Sequence, residues 1–170
     1  MTSRRSLFLM KYCFLASMLI SYNAVGQKAY DWRSNIDFIV AKSDSLSNKS
    51  QRTFHLNKYL KNDKVIKETW HYTLNEGKVV IFQLRYIINL TEFLEVYYLH
   101  KERLICMEIY ESEDNTLSDD RVKRGAVFFF VGNTLKQYVT MGHANLKAPA
   151  IECLSRFDDR FSELQKNIMN

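Results

Sequence analysis

The side chains of this chain that could do chemistry are few and widely spaced. His55, His71, His100 and His143 are separated by 16, 29 and 43 residues, whereas zinc sites take neighbouring ligands from one turn or helix, roughly 2–5 residues apart. Each therefore reads as a strand or turn histidine. There is no Gly-x-Ser-x-Gly elbow, no Ser-x-x-Lys and no phosphate-cradling glycine loop, and five glycines in the whole chain leave little room for one. Glu68, Glu92, Glu95 and Glu108 fall in strand-forming stretches. Two of them meeting across a sheet could serve as acid and base of a hydrolase, or they could simply pair with Lys67, Arg85 or Arg103. Spacing alone does not choose between these. The acidic stretch from Glu111 to Asp120 lacks the alternating oxygen register and closing glutamate of a calcium loop, so it reads as a solvated loop. The expectation is no catalytic residue, no metal and no cofactor.

Aromatic residues are the better candidates. Period-2 alternation puts Val80, Phe82, Leu84, Tyr86 and Ile88 on the buried, even-numbered face of one strand, and Ile66, Trp70, Tyr72 and Leu74 on the even face of the strand before it. Trp70, Tyr72, Phe82 and Tyr86 should then form one apolar patch, either a dry core or the ligand-binding wall of a cavity in which the tyrosine hydroxyls orient an apolar guest.

These residues must be positioned by a sheet and two helices. Trp32, Ile36, Ile39, Val40 and Leu46 share a helical stripe that Asp31 is placed to cap, and the polar stretch from Ser43 to Ser50 reads as the loop that ends this helix. From Arg52 to Met141 the composition turns to Val, Ile, Tyr, Phe, Thr and Leu, broken by polar turns at Lys61–Asp63, Asn75–Gly77, His100–Glu102 and Gly132–Thr134. That is a seven-stranded antiparallel meander. Phe128, Phe129 and Phe130 in a row imply a strand covered on both faces. After Pro149, a helix starter, Ile151, Leu154, Phe157, Phe161, Leu164 and Ile168 recur at steps of three and four, with Glu152, Asp159, Arg160, Glu163 and Lys166 on the opposite face. The fold expected is α+β: an N-terminal amphipathic helix, a curled antiparallel meander and a C-terminal amphipathic helix packed on it.

Charge and address are linked. The chain carries a formal net charge of +5, but Arg4, Arg5 and Lys11 lie in an N-terminal stretch without acids; the rest has 21 basic against 19 acidic residues. A net +2 is too little to bind nucleic acid by charge alone. The N-terminal stretch itself has a basic start, an apolar run from Tyr12 to Ile20, and Ala24-Val25-Gly26 as a small-x-small cleavage site. Residues 1–26 thus read as a secretory signal, with Met10 an alternative start, and residues 27–170 as a single mature domain that is exported and makes no stable membrane insertion. Cys106 and Cys153 would remain, and strand alternation turns Cys106 away from the face on which the last helix packs, against a disulfide. The function expected is a non-catalytic exported module that binds a protein partner or an apolar small molecule; the alternative is a periplasmic or secreted hydrolase.

Overall fold

A computed structural model describes residues 31–59, 65–112, 122–142 and 150–169. The stretch read as a signal, the turn expected at Lys61–Asp63, most of the acidic stretch, His143 and Pro149 lie outside them. Helix α1 (Trp32–Ser50) precedes strands β1 (Arg52–Tyr59), β2 (Val65–Asn75), β3 (Lys78–Ile88), β4 (Thr91–His100), β5 (Arg103–Ser112), β6 (Val122–Val131) and β7 (Thr134–Met141), and helix α2 (Ala150–Ile168) follows. The strands form one open antiparallel sheet in sequence order, so β1 and β7 are its edges. This is the expected α+β architecture.

Local chemistry explains the meander. Two-residue turns join β2 to β3, β3 to β4 and β4 to β5, with Glu76, Gly77, Asn89, Leu90, Lys101 and Glu102 all at φ between 50° and 76°. Such left-handed turns match the strand twist and fix the register of the hairpins they close. The turn at Asn89–Leu90 carried no glycine or proline to announce it.

Alternation then sorts the side chains between two cores. On one face Trp70, Phe82, Leu84, Tyr97, Met107, Phe128 and Phe130 pack under Cys153, Phe157 and Leu164 of α2. On the other, Ile81, Val96, Tyr98, Ile105, Cys106 and Phe129 pack under Ile36 of α1. All three consecutive phenylalanines are buried, as a strand covered on both sides requires. A bulge between β2 and β3 pairs Leu74 with Val79 and Thr73 with Ile81. The extra residue, Val80, therefore packs with the α1 core and Val79 with the α2 core, reversing the expected facing of Val80.

Three other expectations are corrected. Ser43 to Ser50 is helix, not loop. Ser43 is buried, the Tyr98 hydroxyl donates to Asp44 Oδ1 at 3.0 Å, and the Ser50 hydroxyl donates to the Leu46 carbonyl at 3.1 Å, so packing and local bonding outweigh the turn preference of these residues. Ile151 is 81% exposed and leaves the apolar stripe of α2. Arg160 belongs to the sheet-facing side of α2, its side chain only 16% exposed.

Candidate functional site

The largest concentration of buried polar chemistry lies between α2 and the sheet. Glu68 on β2 and Glu95 on β4 both project from the face that carries Trp70 and Tyr97, and both are buried. Arg160 of α2 spans them. Its Nη1 donates to Glu68 Oε1 at 3.0 Å and its Nε stands 3.4 Å from Glu95 Oε2. The remaining contacts complete a network. Glu68 Oε2 accepts from Trp70 Nε1 at 3.0 Å, with Lys58 Nζ at 3.6 Å. Glu95 Oε1 accepts from the Tyr86 hydroxyl at 2.8 Å, with Arg156 Nη1 at 3.7 Å, and Oε2 accepts from the Tyr97 hydroxyl at 2.6 Å. Every oxygen of the two carboxylates faces a donor.

The electrostatics follow from that geometry. Burial works against the Arg160 charge, but Glu95 and Glu68 more than offset it, and its pKa is raised. Burial and then the Glu95 charge push the Tyr86 and Tyr97 hydroxyls well above their ordinary range, so both remain donors. The guanidinium also lies 5.9 Å from the Trp70 ring and 5.7 Å from that of Tyr86, within reach of a cation–π attraction.

The four aromatic candidates do come together. Phe54, Trp70, Phe82 and Tyr97 stack in a row across four strands, at 5.6, 6.2 and 4.5 Å between successive centroids. Trp70 and Phe82 have no exposed surface, while Tyr72 and Tyr86 are half-buried around them. Phe161 and Phe157 of α2 cover Phe82 at 6.1 and 6.4 Å.

Of the glutamates weighed as acid–base pairs, Glu68 and Glu95 share a face and Arg160, while Glu92 lies on the other face and pairs across β3 and β4 with Arg85 at 3.4 Å. Glu92 Oε2 has no hydrogen-bond partner among the described residues. Glu108 accepts from the Tyr110 hydroxyl at 3.0 Å; burial raises its pKa and that bond partly lowers it. His71 Nδ1 lies 2.7 Å from Thr53 Oγ1, and His55 Nδ1 3.2 Å from Thr69 Oγ1. Among the described residues, no cluster of His, Cys, Asp or Glu could hold a metal ion, and no helix is long and apolar enough to cross a membrane.

The arginine at the centre of the network was the residue that sequence reasoning misplaced. A signal existed: Arg160 lies three residues after Phe157 and four before Leu164, on their helical face. Glu68 likewise sits between Ile66 and Trp70 on an apolar strand face, where a charge needs a buried partner.

Beside α2, an open groove of about 730 Å³ is bordered by Lys58, Arg156 and Arg160 against Glu152, Asp159 and Glu163. Its charges balance and, Ile151 apart, its lining is polar. No family model, curated protein or solved structure matches the chain.

Proposed function

We propose that this chain is an exported, non-catalytic binding module that holds a protein partner by strand addition along β7. The observation that carries the reading is the state of that edge. Among the described residues β7 pairs only with β6, and every residue of it but Leu135 is exposed, including Tyr138, Val139 and Met141. An edge strand offers unpaired N–H and C=O groups, and proteins blunt such edges with charge. The opposite edge, β1, carries Arg52 and Lys58, whereas β7 carries Lys136 as its one charged residue. A partner strand would satisfy the backbone and cover the three apolar side chains.

The non-catalytic half of the reading is supported by the carboxylates. A hydrolytic acid or base must reach substrate, but Glu68 and Glu95 are buried and turned to donors on all their oxygens. An apolar small molecule on Trp70, Tyr72, Phe82 and Tyr86 would have to displace Phe157 and Phe161, which occupy that wall. Export is supported by the N-terminal pattern, and N-terminal sequencing of the protein from its host should begin at Gln27.

The test is a photo-crosslinking amino acid at Tyr138, with one at Glu152 on α2 as control. A single adduct of defined mass at position 138, lost when Val139 is changed to Lys, is expected. No adduct, or the same adduct from both positions, would overturn strand addition at β7.

A further inference from the structure

Beyond a partner at β7, we infer a separate small-molecule site in the groove between α1 and the turns that join β2 to β3 and β4 to β5, whose guest is an anionic amphiphile: one carboxylate on an apolar body. The groove encloses about 470 Å³, within the roughly 300–1,000 Å³ of small-molecule sites. Its apolar lining comes from Phe38, Ile39 and Leu46 of α1 and from Val80 of the sheet, with Val79 and Leu99, which belong to the core under α2, bordering it. Its rim is basic, with Lys42, Lys78 and Lys101 against one carboxylate, Glu76.

That imbalance sets this groove apart. The groove beside α2 has equal numbers of acids and bases, and the arginines elsewhere face carboxylates: Arg33 with Asp37, Arg85 with Glu92, Arg156 with Glu95. None of the three lysines at the α1 groove forms a salt bridge with a described residue. Cations placed around an apolar floor select a guest that combines an anionic head with an apolar body, because a neutral guest gains only the floor and a small inorganic anion only the rim.

The site is also pre-organised. Lys78 directly follows the Glu76–Gly77 turn and Lys101 lies within the Lys101–Glu102 turn, both tight left-handed turns with φ of 51° and 76°, and 53° and 63°. Short turns of this kind leave the backbone beneath the two ammonium groups little freedom to lose on binding. A lysine's mobile point charge suits a carboxylate whose exact position is set by the apolar tail.

The experiment is calorimetric titration of the purified protein with sodium octanoate and, separately, 1-octanol, read alongside amide NMR shifts. Octanoate should saturate one site, about tenfold or more tighter than octanol, and weaken as salt is added. Shifts should collect at Val79, Val80 and Leu99. Joint Lys78→Glu and Lys101→Glu changes, both at exposed positions, should weaken octanoate by about tenfold or more while leaving octanol binding and the melting temperature unchanged. Equal affinity for acid and alcohol, absence of saturation, shifts gathered beside α2, or an unaltered double variant would each overturn the proposal. So would tighter binding of an acidic amphipathic peptide, since that would make the groove a protein contact.

Discussion

Arg160 Nε stands 3.4 Å from Glu95 Oε2, and the same guanidinium donates through Nη1 to Glu68. One side chain of α2 is thus tied to two strands that are not neighbours, β2 and β4, with β3 between them. The apolar stripe of α2 alone would allow the helix to slide or rotate on the sheet. The arginine fork sets its register.

Removing that fork should therefore be costly. Arg160→Met leaves two buried carboxylates without their shared counter-charge, and a loss of about 3–5 kcal/mol is expected in urea unfolding. Combining it with Glu68→Gln and Glu95→Gln should recover much of the loss, because no buried charge is then left unpaired. A single variant within 0.5 kcal/mol of the parent, to take a rough threshold for a neutral surface change, would show that the network holds nothing.

The two tyrosine hydroxyls are separable from their rings. Tyr97→Phe and Tyr86→Phe each delete one bond to the Glu95 carboxylate, at 2.6 and 2.8 Å, and each should cost about 1.5–3 kcal/mol, the range for bonds to charged groups. Denaturant midpoints at constant m-value measure it. Unchanged stability of the Tyr86 variant together with loss of a bound apolar compound would instead favour a cavity at the aromatic wall.

His71 titrates below 6.5, its ordinary value, because burial first, then the charges of Arg85 and His55, disfavour its protonated form. The unfolded chain then binds the proton more readily than the folded one. Stability contributed by this group is present above pH 6.5 and is lost as pH falls from there through the depressed folded value. NMR titration of the ring should show the lowered midpoint, and Arg85→Ala should raise it. A midpoint at or above 6.5 would contradict the arrangement.

Cys106 and Cys153 are free and buried, one in the core under α1 and the other in the core under α2. Burial raises both thiols, Cys106 the more strongly, so neither should react with a thiol reagent at neutral pH until the protein unfolds. Intact mass should not change on reduction. Fast labelling of the native protein would show that one of the two helices lifts from the sheet.

Much of the fold was legible because it rests on local rules. Alternation assigned Phe82, Leu84, Trp70 and Tyr72 to one face, and steps of three and four assigned Phe157, Phe161 and Leu164 to the sheet side of α2. Cys106 was likewise placed on the face away from that helix. Each of these facts depends only on a residue's neighbours in the chain. The extent of α1 was not legible, since Ser43 and Asp44 are held helical by a core and a tyrosine contributed by β4, more than 50 residues on. Nor was the destination of Arg160. Helical spacing places it beside Phe157, but whether a cation so placed turns to water or to the sheet depends on what lies beneath, and the two glutamates beneath it come from strands 92 and 65 residues earlier in the chain. Periodicity determines which face a side chain occupies; only the packed structure decides what that face meets, because buried charge is tolerable solely where its partner arrives from elsewhere in the chain.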